Sequence, residues 1–373
     1  MVLSTDQIAR LRLIRTPQVG PVLYRQLLAK YGNAQKALAA LPELSRGRKV
    51  PLKAPSTESV ERELQTLQKI GARFVFDDDD DYPALLHQIS DTPPVLTALG
   101  NPALLNRKQI ALVGTRGASA AGQRFTTELA RALGDAGWCV SSGMARGIDT
   151  AAHTGALDTP GGTIAVLGGG IDHIYPPENA PLYHQLAQKG CLLTEYAPGA
   201  PANASHFPRR NRLIAGMSHA VVVLECDRHS GTLITAQYAG EYGREVMAVP
   251  GHPSDPRAKG PNHMIKQGAL LVESAEDILS HLDALPDLLA YAPTPRQIRL
   301  YTREEDEQSL LFDDPTPATS GDFETLLGTT PVEMDTLIRQ SGLSEAEVAS
   351  RLTVLELDGK LERLPGNRVR LLA

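Results

Sequence analysis

Ile110-Ala111-Leu112-Val113-Gly114-Thr115-Arg116-Gly117-Ala118-Ser119 reads as a strand running into a tight turn, and residues 122–133 then read as a helix. Four apolar residues in succession suit a strand buried on both faces, and glycine lets the backbone turn sharply and approach a ligand. Exposed amides at the helix start, with Arg116 beside them, make an anion site. The loop is neither a full G-x-G-x-x-G fingerprint nor a Walker loop, because no Gly-Lys-Ser/Thr follows, so ordinary dinucleotide or NTP chemistry lacks support.

The pattern repeats along the chain. Cys139-Val140-Ser141-Ser142-Gly143 precedes Met144-Ala145-Arg146-Gly147-Ile148-Asp149, and Thr163-Ile164-Ala165-Val166-Leu167 runs into Gly168-Gly169-Gly170. Ala220-Val221-Val222-Val223-Leu224 leads to Ser230-Gly231-Thr232 and a helical segment over 233–242, ahead of Glu245-Val246-Met247-Ala248-Val249-Pro250-Gly251. Apolar runs alternating with helices predict an α/β fold, a doubly wound and mostly parallel sheet covered on both faces, with ligands at the carboxyl ends of the strands.

One basic cluster stands out: His206-Phe207-Pro208-Arg209-Arg210-Asn211-Arg212 places three arginines and an amide in four positions. The arginine fork suits phosphate, and Asn211 can hydrogen-bond a base or hold the backbone. The alternative is a solvated loop or helix start bearing salt bridges. On the phosphate reading, this cluster shares one rim with Arg116 and the glycine turns.

In order, Val113-Gly114-Thr115-Arg116, Ser142-Gly143-Met144-Ala145-Arg146-Gly147-Ile148-Asp149, residues 207–216 and Ser230-Gly231-Thr232-Leu233-Ile234-Thr235-Ala236 closely resemble the DprA/Smf family, the DNA processing protein A. Tyr175-Pro176, Thr194-Glu195-Tyr196, Gly243-Arg244-Glu245, Gly260-Pro261-Asn262 and Gly268-Ala269 add to the match, which is strong over residues 81–279. The resemblance implies an extended Rossmann-like domain whose basic pocket holds the single-stranded DNA backbone. It further implies a cytoplasmic homodimer that protects incoming DNA in natural transformation and helps load the RecA recombinase, with no catalysis, cofactor, metal or membrane. Carried onto this chain, Arg116 is the leading phosphate contact, with Arg209, Arg210, Asn211 and Arg212 as further contacts. Gly114, Thr115, Ser142, Gly143, Gly168, Gly169, Ser230, Gly231 and Thr232 would supply backbone or hydroxyl donors. Position 115 is Thr where the family often has Ser, which keeps the hydroxyl. Phe207 offers either a stacking face for a base or a core ring.

Whole-chain composition fits these expectations. At 373 residues and 42% hydrophobic content the chain supports more than one core, and no apolar run reaches membrane-spanning length. The start lacks a charged-then-apolar signal segment. Cys139, Cys191 and Cys226 have no C-x-x-C spacing and read as buried thiols. Net charge is −6, yet residues 1–70 carry 12 basic and 5 acidic side chains, so positive potential is expected on that segment and on the arginine pocket.

Four segments follow. Residues 1–70 form a helical domain with helices over Thr5–Ile14 and 22–31, broken by Thr16-Pro17-Gln18-Val19-Gly20-Pro21, then a loop over 44–59 and a helix over 61–70. It resembles the sterile-alpha-motif-like or helix-hairpin-helix module ahead of the Rossmann domain in this family; the hairpin either presents amides to phosphate or is a packing unit. Residues 71–285 are the Rossmann-like domain, in which Asp77-Asp78-Asp79-Asp80-Asp81 reads as a solvated turn rather than a metal site. Residues 286–320 are a Pro-rich acidic linker. Residues 321–373 read as helices over 323–327, 331–341 and 344–357 plus a hairpin over 361–370, a winged-helix module. Glu345 and Glu347 open its would-be recognition helix, which favours a protein-contact or accessory role over duplex reading.

The rival class is the lysine-decarboxylase-like phosphoribohydrolase, whose Pro-Gly-Gly-x-Gly-Thr-x-x-Glu loop would fall on residues 229–235. That alignment puts Thr235 where the acid belongs and leaves Glu241 as the nearest substitute. His153, His206, His229, His252 and His263 form no metal-ligand pair spacing.

Overall fold

Val113 and Ala111 point to one face of the sheet and Ile110 and Leu112 to the other, as the two-residue strand period requires, and all four are buried. These residues belong to β3 (Gln109–Val113), the strand from which the chain winds in both directions. The computed structural model describes residues 3–46, 50–228 and 230–288, and in the C-terminal region residues 327, 332–333, 348, 352, 355, 361–364 and 368–371.

Four helices come first: α1 (Thr5–Ile14), α2 (Pro21–Tyr31), α3 (Ala34–Leu44) and α4 (Thr57–Ile70). Ser4 opens α1 with a reciprocal capping box to Gln7, and Gly20 with Pro21 opens α2. Helix α3 lies where no element was expected, and α4 begins at Thr57, within the expected loop, because the Ser56 hydroxyl accepts the Ser59 N–H and caps it. Leu13, Tyr24, Leu27, Ala37 and Leu41 form the core of this helical group.

The sheet follows. β1 (Arg73–Phe76) and β2 (Val95–Gly100) pair antiparallel and extend the parallel strands at one edge. After β3 come α5 (Ala120–Asp135), β4 (Cys139–Ser142), α6 (Ile148–Ala156), β5 (Thr163–Val166), α7 (Ala180–Lys189) and β6 (Cys191–Thr194). Then α8 (His206–Met217) crosses back, followed by β7 (Ala220–Val223), α9 (Thr232–Glu241), β8 (Glu245–Ala248), α10 (Lys259–Lys266), β9 (Leu270–Leu271) and α11 (Ala275–Asp283). The strand order is β1-β2-β6-β5-β4-β3-β7-β8-β9, parallel from β6 to β9, so the fold is the expected doubly wound α/β sheet. Leu129, Leu133, Ile148 and Ile278 cover one face, and Leu213, Ile214, Ala236 and Met264 the other. Each fully buried aliphatic side chain of this kind contributes about 1.5–3 kcal/mol.

The helical group docks on the sheet through apolar and charged contacts. Leu3, Leu11, Val60 and Leu67 join Phe74, Phe76 and Val95 in one core. Arg15 holds Glu63 at 2.7 Å and donates to the Glu195 carbonyl at 2.9 Å, and Arg25 donates to the Ser90 carbonyl at 2.5 Å. The five consecutive aspartates form the expected turn at the surface, and three of them also carry ion pairs: Asp77 and Asp78 hold Arg10, and Asp81 holds Arg73. Burial raises the Asp77 carboxyl, and Arg10 opposes that shift. All three cysteines are buried and free, with their thiols pushed up by burial.

The second compact unit spans residues 303–373. β10 (Val332–Glu333), β11 (Leu361–Leu364) and β12 (Arg368–Leu371) form a three-stranded antiparallel sheet in the order β10-β12-β11. The expected hairpin over 361–370 is therefore present. Val332 and Glu333 depart from the expected helix over 331–341: they pair with Val369 and Arg368, and a β-branched residue suits that extended edge. Val348, Leu352 and Leu355 are helical and buried, at the spacing of one helix face. The linker from 289 to 320, the helix over 323–327 apart from Leu327, and the rest of the other two helices lie outside the described residues.

Candidate nucleic-acid interface

Three strand ends build one cleft. Arg116 comes from the loop after β3, Gly143, Ala145 and Arg146 from the loop after β4, and Leu167, Gly168 and Gly169 from the end of β5. His173, Tyr175, Pro176 and Ala202 close one side, and Phe207 on the first turn of α8 forms the floor. The Arg116 guanidinium lies 5.3 Å from the centre of the Phe207 ring, Arg210 lies 5.9 Å from it, and the Tyr175 ring 5.5 Å. Both guanidinium groups are attracted by the ring quadrupole, which offsets part of their mutual repulsion. Gly168 passes so close beneath Phe207 that a Cβ there would come within 2.9 Å of a ring carbon. His206, stacked on Tyr196 at 4.1 Å, places its Nδ1 3.0 Å from the Gly168 carbonyl oxygen. No carboxylate lines the cleft among the described residues.

Arg210 is a buried strut behind the cleft. It is 4% exposed and donates to the Gly143 carbonyl at 2.6 Å and to the Val166 carbonyl, tying α8 to β4 and β5. Burial pushes its guanidinium down to about 10, with Asp149 opposing the shift. Asp149 accepts the amides of Gly143 at 3.1 Å and Ala145 at 3.2 Å; burial pushes its carboxyl up, and Arg210 and those amides hold it down. Gly143 sits between the two groups with no room for a side chain, since a Cβ would lie 2.5 Å from Arg210 and 2.8 Å from Asp149.

The four residues 209–212 do not converge, because they lie on a helix, where successive side chains turn by about 100°. Arg209 is exposed, while Asn211 accepts the Arg210 Nε–H at 3.1 Å and turns its amide toward the Gly231 carbonyl at 3.5 Å. Arg212 corrects the expectation of a phosphate contact. It is 6% exposed, donates to the Asp91 carbonyl at 2.9 Å, and meets the carboxylates of Glu195 and of Asp91, the latter at 3.3 Å. Burial alone would lower its guanidinium, but Glu195 and Asp91 outweigh burial and hold it above the ordinary range.

Several predicted donors are already used inside the protein. The Ser142 hydroxyl is buried and donates to the Leu112 carbonyl at 2.7 Å, so it reaches no ligand, and the Gly143 amide is taken by Asp149. Thr115 accepts the Gly117 amide at 3.2 Å on its hydroxyl, and its own amide donates to the Glu225 carbonyl at 2.6 Å. Gly114 is packed against Ile148, 2.4 Å from where a Cβ would stand. Ser230, Gly231 and Thr232 open α9 beside Asn211 and do not line the cleft. The anion site expected at the start of α5 is occupied by the chain itself: the Glu225 carboxylate accepts the Ser119 amide at 2.8 Å and the Ser119 hydroxyl at 2.6 Å. Arg116, Gly143, Gly168, Gly169 and Phe207 are the predicted residues that the structure brings together. Arg146, His173, Tyr175 and Pro176 were not predicted as site residues, although Arg146 and Tyr175-Pro176 stand inside motifs already visible in the sequence. Thr235, the residue at the acid position of the rival hydrolase, is buried, and Glu241 lies at the far end of α9, bonded by Gln237 at 2.9 Å.

Gly147 shapes the loop that carries Arg116. It adopts φ 72°, and a Cβ would stand 2.4 Å from the Thr115 carbonyl oxygen and 2.6 Å from that of Arg116. Gly147→Ala is expected to destabilise the fold by about 1–3 kcal/mol, read as a lower urea midpoint with an unchanged m-value.

Known proteins share this architecture. Residues 73–283 match the family described as DNA recombination-mediator protein A, residues 4–66 a DprA-like N-terminal helix-hairpin-helix domain, and residues 314–367 a DprA winged helix domain. Protein Smf of Synechocystis is 35% identical over 98% of this chain and 98% of its own, and DNA processing protein DprA of Bacillus subtilis is 44% identical over 54% of this chain and 68% of its own. The crystal structure of DNA processing protein A from Streptococcus pneumoniae superposes with a TM-score of 0.62 at 34% identity, covering 75% of this chain and 98% of that one. DNA processing protein A from Helicobacter pylori, studied for its single-stranded DNA binding mode, superposes with a TM-score of 0.51 at 26% identity over 57% of this chain and 95% of that one.

Proposed function

Because this chain belongs to the DprA/Smf family, we propose that the cleft around Phe207 binds the phosphodiester backbone of single-stranded DNA and that the protein acts as a non-catalytic DNA-processing factor. The observation that carries this reading is the pair of guanidinium groups beside Phe207, Arg116 in the cleft and Arg210 buried outside its lining, with no carboxylate among the cleft's described lining residues. Arg116, half-buried at the cleft wall, meets a phosphate, and the more deeply buried Arg210 adds positive potential behind it. Gly168 and Gly169 let Phe207 and the 200–202 segment pack against the end of β5, and Tyr175 and Phe207 offer faces on which bases stack. Arg146 at the mouth pairs with Glu178 at 3.7 Å and exchanges that exposed partner for a phosphate. Arg209, Asn211 and the loop carrying Ser230, Gly231 and Thr232 extend the contact surface along α8 and α9.

Family membership supports the finer reading: protection of incoming DNA in natural transformation, delivery of that DNA to the RecA recombinase, and action as a cytoplasmic homodimer. No helix among the described residues is long and apolar enough to cross a membrane. We take the functional domains as 1–70 helical, 71–285 Rossmann-like, 286–320 linker and 321–373 winged helix, with the winged-helix match itself beginning at residue 314.

The experiment is a titration of single-stranded against double-stranded DNA across salt concentrations. The expected outcome is preferential binding of the single strand, with log affinity falling linearly in log salt at about 0.7 per phosphate neutralised. Equal or tighter binding of duplex overturns the assignment.

A further inference from the structure

We infer that Glu225, on the loop after β7, is a positioning residue of the DNA cleft, holding the 115–119 loop in the shape that presents Arg116 to a phosphate. This inference rests on the single-stranded DNA reading of the cleft.

Glu225 grips that loop at both ends. Its carbonyl accepts the Thr115 amide at 2.6 Å, immediately before Arg116. Its carboxylate takes the Ser119 amide at 2.8 Å and the Ser119 hydroxyl at 2.6 Å, three residues after Arg116. Ser119 in turn caps α5 by accepting the Gly122 amide at 2.9 Å. Gly122 is open to the carboxylate because it has no side chain; a Cβ there would stand 2.5 Å from the Glu225 carboxyl carbon. The opposite wall of the loop is Gly147 and Ile148, whose amide donates to the Thr115 carbonyl at 3.3 Å. Arg116 therefore projects from a short span clamped between two loops distant in sequence, and only one of the clamps is made by a side chain that can be exchanged without backbone strain. The arrangement also matters for what it prevents. A negative charge is used next to a nucleic-acid cleft, where it repels phosphate, so its retention there calls for a gain that exceeds that cost.

Positioning and electrostatics predict opposite signs, which makes the test sharp. Removing a carboxylate near the cleft strengthens DNA binding if charge is all that matters. Glu225→Ala is instead expected to weaken single-stranded DNA binding by about ten-fold, the scale of one lost charge-assisted contact, with a salt slope lower by about 0.7. Glu225→Gln keeps the clamp: its carbonyl accepts the Ser119 amide and its NH2 donates to the Ser119 hydroxyl, so affinity stays at or above that of the natural protein. The combination Arg116→Ala/Glu225→Ala binds no more weakly than Arg116→Ala alone, because Glu225 acts through Arg116. Circular dichroism and the urea midpoint identify the folded fraction of each protein, and Glu225→Gln gives the answer if Glu225→Ala does not fold: a ten-fold loss on that variant overturns the inference. So does tighter or unchanged binding by folded Glu225→Ala, or penalties that add in the double variant. No effect of Arg116→Ala itself is a separate outcome, which removes the cleft as the DNA site and the inference with it.

Discussion

Arg116→Ala weakens single-stranded DNA binding at every sequence tested, by about ten- to a hundred-fold, and lowers the salt slope by about 0.7. The size follows from what the residue does. A charge-assisted hydrogen bond to phosphate contributes about 1.5–3 kcal/mol, and each 1.4 kcal/mol is ten-fold in affinity. The uniformity follows because a backbone contact carries no base information. Arg116 is half-buried with its guanidinium over Phe207, so part of its ordering cost is met before a ligand arrives. Arg116→Lys therefore rescues only part of the loss, since an ammonium keeps the charge but not the planar fork or the flat face. Fluorescence anisotropy with mixed-sequence and homopolymer oligonucleotides at several salt concentrations reads both quantities. A loss confined to one sequence, or an unchanged slope, counts against a phosphate contact.

Arg210→Ala is expected to act mainly on the fold, with a stability loss of about 3–5 kcal/mol. The side chain is almost wholly enclosed, it satisfies the carbonyls of Gly143 and Val166, and it is the cation facing buried Asp149. Removing one member of such an arrangement leaves a buried carboxylate without its counter-charge and two carbonyls without donors. Urea unfolding at neutral pH measures the effect. Asp149→Asn in the Arg210→Ala background then recovers part of it by removing the stranded charge while keeping an acceptor for the Gly143 and Ala145 amides. A stability equal to that of the natural protein, with DNA binding lost, makes Arg210 a contact rather than a strut.

The strands of this fold are legible from composition because a parallel strand buried on both faces is apolar at most positions, wholly so in β7, while the buried polar residues Gln109, Ser141, Ser142 and Thr163 of β3, β4 and β5 are each hydrogen-bonded inside the protein. The glycine turns are legible for a related reason: at Gly143 and Gly147 neighbouring atoms leave no space for a Cβ, so only one residue type fits. Helix α3 is not legible because Pro42 reads as a break in the pattern, although the helix continues to Leu44. The site was only half legible. Chemistry named the arginines, but the helical turn decides direction, and α8 sends Arg210 to the Gly143 and Val166 carbonyls near Phe207 and Arg212 to Glu195 and Asp91. Occupancy was equally hidden. Nothing in the spacing between Ser119 and Glu225 shows that the second would fill the amides of the first, and nothing in Ser142 shows that its hydroxyl serves Leu112.

Arg15 has a consequence for how fragments of this protein behave. Its guanidinium joins Glu63 to the Glu195 carbonyl, and the Glu195 carboxylate secures Arg212 on the reverse side of the helix that displays Phe207. The amino-terminal helices thus brace the rear of α8. Weak binding by a truncated protein starting at residue 71 would report a loosened support, and would say nothing about whether the missing helices ever touched a nucleotide.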